Sequence, residues 1–228
     1  MDLMLSGRTA LVLGGHGLIG TAVVRRLREE GAVAVPAART PGLDGLVIDA
    51  TDDASIAAGL DRFLGEHGRL DILIHSAAPS ARTLDPARNS DPAQVLGAIE
   101  AKAMSFLRAA NAVLPAMVEA GDGRIVGVSG QNAFLTGNIT GSVRNAALVI
   151  AAKNLADSVA GTGVTVNSVS PGLVSETPAS EVQLAKSGET TPAQIADLIA
   201  FLASPLAASI SGESISVGHR VRGVSGLN

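Results

Sequence analysis

The sequence contains no cysteine, no tyrosine and no tryptophan among its 228 residues, and it has only four phenylalanines. The lack of cysteine excludes disulfides, thiolate catalysis and cysteine-based metal sites. The lack of tyrosine excludes any reaction that uses a phenol as its acid or base. A chain without cysteine is compatible with the reducing cytoplasm, which is where we expect this protein.

The sequence also lacks a strong excess of either positive or negative charge, and it lacks long hydrophobic runs. The net charge is −4, and the basic residues form no stripe interleaved with aromatics, so nucleic acid is not an expected partner. No apolar run is long enough for a membrane span, and the first eight residues lack the pattern of a secretion signal, so we expect no membrane association. The histidines show no metal-ligand spacing, and we expect no metal; they are His16, His67, His75 and His219.

What the sequence does contain is an alternation of apolar, β-branched runs with amphipathic segments rich in Ala and Leu. The predicted strands are 9–14, 33–37, 46–49, 70–76, 124–129, 164–169 and 214–217. The predicted helices are 20–30, 53–66, 92–120, 143–160 and 192–203. This order predicts one α/β domain over residues 1–228, a Rossmann-type doubly wound parallel sheet in three α/β/α layers. Residues 175–191, rich in Ser, Thr, Glu and Pro, are predicted to form a short flexible flap on the substrate side.

A glycine-rich loop joins the first strand to the first helix. Its Gly15-x-Gly17-x-x-Gly20 spacing is that of a dinucleotide fingerprint, in which the helix N-terminus meets a pyrophosphate. The alternative is a glycine turn that only packs the helix on the strand. We predict that the whole loop contacts a cofactor: Gly14, Gly15, His16, Gly17, Leu18, Ile19 and Gly20.

The end of the second strand indicates which dinucleotide binds. An acidic side chain there would favour NAD(H), but the sequence has Ala38 followed by Arg39, which can pair with a 2′-phosphate. We therefore expect NADP(H) in preference to NAD(H), unless Arg39 is a solvated loop residue. Asp49, after the third strand, is placed to meet the adenine, or it is a turn residue.

Over nearly its whole length the chain resembles the short-chain dehydrogenase/reductase family. The resemblance rests on the glycine loop and on four further segments, 49–52, 71–78, 123–129 and 166–172. In the second of these, His75 and Ser76 replace two asparagines of the family pattern. The resemblance implies further cofactor contacts from Ala50, Ser76, Ala77, Pro171 and Gly172.

The family's catalytic residues do not match. Its reductases use a Ser, a Tyr and a Lys, with a supporting Asn, and the Tyr and Lys lie one helical turn apart. Our alignment places the Tyr position at Val143 and the Lys position at Ala147. The Ser position falls on Gly130, one residue after Ser129, and the Asn position falls on Lys102. Without tyrosine, the family mechanism is not available in any register.

Two residues are candidates to replace the missing chemistry. Lys102 could send its ammonium into the space beside Ala147, as an acid/base or an anion anchor, or it could extend into solvent. Ser129 is the second catalytic candidate. Polar residues nearby, including Asn145, cluster in the sequence, and we predict substrate contacts from Gln131, Asn132 and Arg144; the first two could instead be ordinary loop residues. His16 and His75 are more typical of structural roles.

Three hypotheses about function follow. The first is an atypical NADP(H)-binding oxidoreductase for a small carbonyl or alcohol substrate, or a related non-redox enzyme for elimination or isomerisation. The second is a non-catalytic NADP(H)-binding sensor or partner subunit. The third is a protein that has lost the nucleotide and binds another small ligand. Because helices 92–120 and 143–160 are long and rich in Ala, we also expect a homodimer or homotetramer built on them.

Overall fold

The computed structural model describes residues 1–42, 44–79 and 83–224. The strands are β1 Thr9–Leu13, β2 Val33–Ala38, β3 Leu46–Val47, β4 Ile72–His75, β5 Gly123–Val128, β6 Val164–Pro171, β7 Leu173–Val174, β8 Glu189–Thr190 and β9 Ser214–Val217. The α-helices are α1 Leu18–Glu29, α2 Asp53–His67, α3 Pro92–Ile99, α4 Ser105–Ala120, α5 Ile139–Ser158 and α6 Pro192–Ala203. Short 3₁₀ turns cover Pro86–Arg88, Gln131–Phe134 and Pro205–Ala207.

Seven strands form one sheet in the order β3-β2-β1-β4-β5-β6-β9, and every pairing in it is parallel. Helices cover both faces, and each face has its own apolar core. One core contains Phe63, Phe106 and Leu148, and the other contains Leu27 and Ile195. Strands buried on both faces need apolar residues at successive positions, which is why the strands read as continuous runs. The predicted doubly wound, three-layer fold is confirmed.

The strand order reverses between β1 and β4. At such a switch point the connections leave in opposite directions, so a crevice opens at the carboxyl ends of the strands. The glycine loop follows β1 into this crevice, and the loops after β4, β5 and β6 end at the same edge. The fold therefore brings the segments predicted to carry the site to one edge of the sheet.

Two helices differ from their predicted bounds. The predicted helix 92–120 is interrupted by a π-helical turn, Glu100–Met104, which separates α3 from α4. The predicted helix 143–160 begins four residues earlier, at Ile139, because the side chain of Asn138 accepts a hydrogen bond of 2.8 Å from the N–H of Gly141 and caps it.

The predicted flap has no helix or strand between residues 175 and 188. The short parallel pair β7 and β8 joins the two ends of this segment. Its mobility stays a prediction. None of the helices within the described ranges combines the length and apolar character that crossing a bilayer requires.

Candidate functional site

A cavity of about 630 Å³ lies at the carboxyl edge of the sheet. The glycine loop lines one side of it, and the ends of β5 and β6 line its floor. The π turn and α5 supply Lys102, Arg144 and Asn145 from the other side. Its described lining contains these two cations and no Asp or Glu. The segments that the sequence assigned separately to cofactor and substrate thus share one cavity.

The glycine loop is packed too closely for side chains at three of its positions. A Cβ on Gly20 would lie 2.1 Å from the carbonyl oxygen of Gly14, and one on Gly15 would lie 2.5 Å from the Cβ of Pro36. Gly14 has a φ of +76° and lies against the backbone of Ala77. Close packing therefore accounts for glycine at positions 14, 15 and 20. This agrees with the alternative interpretation, in which the glycine turn packs the helix on the strand.

The remaining glycine of the loop bears on ligand binding. Gly17 is the N-cap of α1, and no side chain caps the helix there. The first N–H groups of a helix have no partner within it, so those of Leu18, Ile19 and Gly20 are free to meet an anion. Gly17 and these three residues line the cavity, and the first turn of α1 carries no acidic residue. This donor set fits a dinucleotide pyrophosphate.

The ribose end of the predicted cofactor site lies at the ends of β2 and β3. Arg39 is exposed just beyond β2. Asp49 forms a turn, because its Oδ1 accepts hydrogen bonds from the N–H and the hydroxyl of Thr51 at 2.9 and 2.7 Å. These bonds, together with the charge of Arg39, lower the pKa of Asp49. Asp49 therefore holds the turn and carries its negative charge near Arg39, and its contact with the adenine stays a prediction.

Some of the other residues predicted to contact the cofactor line the cavity, and others do not. Ser76, Pro171 and Gly172 line the cavity, and the hydroxyl of Ser76 donates to the carbonyl oxygen of Leu13 at 3.0 Å. Ala77 packs on the glycine loop and Ala50 is buried. His16 points away, toward the segment after β2, where its Nε2 accepts a hydrogen bond of 3.2 Å from the N–H of Gly42.

Lys102 extends inward from the π turn. Its residue is buried, and its Nζ donates a hydrogen bond of 3.0 Å to the carbonyl oxygen of Ser129, at the end of β5. Burial, reinforced by the charge of Arg144, lowers the pKa of Lys102 to about 7. The side chain does not extend into solvent. His75 lies near it, with its pKa lowered to about 3 by burial and by the charge of Lys102, and its Nε2 is 3.0 Å from the Oγ of Ser105.

Ser129 lies on the cavity wall, but its hydroxyl is engaged. The Oγ donates to the carbonyl oxygen of Asn145, 3.0 Å away in α5. Its backbone N–H donates to Val169 in the neighbouring strand. Ser129 therefore joins β5 to α5, and its carbonyl oxygen is the atom that meets Lys102.

The positions assigned to the missing tyrosine and lysine lie outside the cavity. Val143 is 39% exposed and Ala147 packs beside the Phe106 core, and neither lines the cavity. A shift of two residues turns a helix by about 200°. Gly141 and Asn145, two residues nearer the start of α5, are buried one turn apart, and Asn145 lines the cavity together with the buried Arg144. The space beside Lys102 is therefore bordered by Asn145, not by Ala147.

The three predicted substrate residues all line the cavity. Gln131 is buried and its Nε2 donates to the carbonyl oxygens of Val217 and His219. Arg144 is buried, and its Nη1 donates to the carbonyl oxygen of Pro79 at 3.2 Å.

Asn145 belongs to the polar cluster that the sequence indicated, and its buried Oδ1 has no hydrogen-bond partner within the described residues. The cap at Asn138 sets where α5 begins and therefore which face of the helix carries Asn145.

Comparison with known proteins agrees with this geometry. A family model described as enoyl-(acyl carrier protein) reductase matches residues 15–219. The chain belongs to the short-chain dehydrogenase/reductase family. It is therefore a member of an oxidoreductase family with a Rossmann fold.

Several relatives in this family align over almost the whole chain. The 3-oxoacyl-[acyl-carrier-protein] reductase FabG of Escherichia coli is 30% identical, covering 92% of this chain and 96% of its own. The (2S)-[(R)-hydroxy(phenyl)methyl]succinyl-CoA dehydrogenase subunit BbsC of Thauera aromatica is 31% identical, covering 93% of each. A short-chain dehydrogenase structure from Bacillus anthracis superposes with a TM-score of 0.80 at 22% identity, covering 93% of this chain and 95% of that one. That likeness shows the fold.

Proposed function

We propose that this protein binds NADP(H) and interconverts a small carbonyl compound and its alcohol, with Lys102 as the proton donor and acceptor in place of the family's tyrosine. One observation carries the proposal. The Nζ of Lys102 is buried at a cavity whose opposite side is the uncapped N-terminus of α1. No reductase function can rest on tyrosine in this chain, and Lys102 is the cavity residue best suited to replace it.

The cofactor would be held by the free N–H groups of Leu18, Ile19 and Gly20 at its pyrophosphate and by Arg39 at its 2′-phosphate. Bound there, it supplies or accepts the hydride of the reaction. Names of the relatives support this assignment, since they include reductases and a dehydrogenase.

The surroundings of Lys102 suit proton transfer. A group whose pKa lies near the working pH is present in both protonation states and can both give and take a proton. The pKa of Lys102, about 7, meets this condition. An ammonium has three N–H bonds, and within the described residues one of them has an acceptor, the carbonyl oxygen of Ser129. The others can reach a substrate oxygen in the cavity.

The test has two stages. NADPH fluorescence titration measures cofactor binding, and turnover is then followed on a panel of small ketones, aldehydes and alcohols. Lys102→Met should leave NADPH binding within about twofold and lower turnover at least a hundredfold. Lys153→Met is the matched control, since Lys153 is exposed and paired with Asp157, and it should behave as wild type. Equal turnover by Lys102→Met and wild type contradicts the proposed role.

A second candidate function is a non-catalytic NADP(H)-binding partner subunit. The observation that favours it is the name of the Thauera relative, which describes one subunit of a dehydrogenase. Binding of NADPH with no turnover on the whole panel supports this candidate. Failure to bind NADPH at near-millimolar concentration excludes both candidates and favours a protein that holds another small ligand.

We also propose that the protein is a cytoplasmic homodimer or homotetramer. Helix α5 leaves Ile150 62% exposed, and Leu96 in α3 is 66% exposed, so the region 92–160 presents apolar side chains that no described residue covers. Burial of such residues in a symmetric interface is favourable.

A further inference from the structure

The cavity contains two cationic side chains that face no acidic group. Lys102 and Arg144 both line it, and no Asp or Glu belongs to its described lining. Neither of them forms an ion pair within the described residues, although other buried or half-buried cations do: Arg124 pairs with Asp122 at 3.0 Å. The two uncompensated cations are therefore a property of this cavity and not of the chain in general.

The hydrogen bonding of Arg144 is incomplete. Its Nη1 donates to the carbonyl oxygen of Pro79, while its Nε is buried and has no partner among the residues that the structure describes. A buried N–H without an acceptor costs free energy, and the cost is larger for a charged group. Arg144 is only 5% exposed, so bulk water offers little compensation.

Electrostatics disfavours the arrangement further. Burial lowers the pKa of both Lys102 and Arg144, and the charge of Arg144 adds to the effect on Lys102. His75, also packed near Lys102, is neutral because its pKa is about 3, and so it supplies no negative charge. A bound anion would relieve the repulsion between the cations and give Nε of Arg144 an acceptor. A guanidinium binds a carboxylate in two parallel hydrogen bonds, which suits a fixed, buried arginine.

We propose that the substrate carries a carboxylate, bound by Arg144, on the same small molecule whose carbonyl or alcohol oxygen meets Lys102. This inference rests on the proposed function and narrows its substrate class to short oxo acids and hydroxy acids. A cofactor phosphate is the other source of negative charge, but the free N–H groups at the start of α1 provide for phosphate on the opposite side of the cavity.

Two uncharged side chains support a polar ligand. In the described part of the chain, the Oδ1 of Asn145 and the Oε1 of Gln131 are buried without hydrogen-bond partners, and both residues line the cavity. Oxygen atoms of this kind accept hydrogen bonds from a hydroxyl group, which the alcohol form of such a substrate has.

The experiment compares an anion with its neutral counterpart. Acetoacetate and methyl acetoacetate differ in whether the carboxyl group is charged. Each is titrated by calorimetry into the full-length protein saturated with NADP⁺, so that binding is measured without turnover. We expect wild type to bind acetoacetate at least tenfold more tightly than the ester.

Variants then assign the preference. Arg144→Gln should bind the two compounds about equally. Arg144→Lys keeps the positive charge but cannot form two parallel hydrogen bonds with a carboxylate, so it should retain part of the preference for acetoacetate. Arg62→Gln, a change at an exposed ion pair in α2, should behave as wild type. A thermal melt of each variant establishes that it is folded. If Arg144→Gln is unfolded, the proposal is decided by how strongly wild type and Arg144→Lys each prefer acetoacetate over the ester.

The outcomes separate this proposal from the proposed function. A wild-type protein that binds both compounds equally, or binds neither, overturns the carboxylate assignment. Turnover of the ester with no preference for acetoacetate supports the reductase and removes the carboxylate site. Tight acetoacetate binding in a protein that turns over nothing on the panel supports the carboxylate site and removes the reductase.

Discussion

The Nζ of Lys102 and the carbonyl oxygen of Ser129 are 3.0 Å apart, and this hydrogen bond joins the π turn to the end of β5. It places an ammonium in a buried position next to a second cation. Its consequences concern stability as well as chemistry, and they can be measured without knowing the substrate.

The burial of Lys102 makes stability depend on pH. Its folded pKa of about 7 lies below the unfolded value of 10.5, so the unfolded chain holds more protons between these values. The free-energy cost of burying the charged ammonium is greatest below pH 7 and disappears as the pH rises toward 10.5. The free energy of unfolding therefore increases with pH in this window. Between pH 7 and 9.5 we expect wild type to gain about 3 kcal/mol relative to Lys102→Met, measured by urea unfolding. A parallel pH dependence in the two proteins would show that Lys102 is solvated.

The close packing of the glycine loop predicts a sharp difference between two alanine substitutions. Gly20→Ala places a Cβ 2.1 Å from a backbone oxygen, so we expect a loss of about 3 kcal/mol of stability and weaker NADPH binding. Gly65→Ala, in α2, meets nothing within 4 Å and should stabilise the protein by up to about 1 kcal/mol. Chemical denaturation of both variants measures the contrast. Equal stability for the two would mean that the loop can relax.

The position of Arg39 predicts cofactor preference. Removing its charge with Arg39→Gln should weaken NADPH binding by roughly 10- to 100-fold and leave NADH binding unchanged, because only NADPH has the 2′-phosphate. Fluorescence titration with each cofactor gives both constants. If wild type already binds NADH as tightly as NADPH, Arg39 has no role in selecting the phosphate.

The exposed apolar residue Ile150 predicts the surface used for assembly. Ile150→Glu should convert the expected dimer or tetramer into smaller species, because a charge would be buried in the interface. Sedimentation velocity reports the change. Val47→Glu, at an equally exposed residue in β3, is the control and should leave the assembly intact. Unchanged assembly in Ile150→Glu would place the interface elsewhere.

Most of the fold was predictable because its signals are local. Continuous apolar runs such as Ile72–His75 indicate strands buried on both faces, and the glycine loop marks the passage from β1 to α1. The π turn was not predictable from periodicity, since α3, the turn and α4 form one uninterrupted amphipathic pattern. The true start of α5 depended on a side chain, that of Asn138, which caps the helix.

The site was predictable at the level of segments and less so at the level of side chains. Residues at the ends of parallel strands, such as Ser76 and Gln131, meet at one edge, and the sequence placed them there. Val143 and Ala147 lie off the cavity although Asn145 lines it, because a helix turns about 100° per residue and an offset of two moves a side chain to another face. The role of a side chain also depends on contacts that residue spacing does not show. One example is the hydrogen bond that Asp49 accepts from the N–H of Thr51.

The π turn at Glu100–Met104 holds one residue more than an α-helix of the same length. Because the extra residue is taken up inside the turn, deleting it would restore a regular helix and leave α3 and α4 near their present orientation. Leu96 would stay exposed and Phe106 would stay in the core, whereas Lys102, inside the turn, would lose its hydrogen bond to Ser129. A one-residue deletion here would therefore displace the ammonium from the pocket and leave the outer face of the helix unchanged.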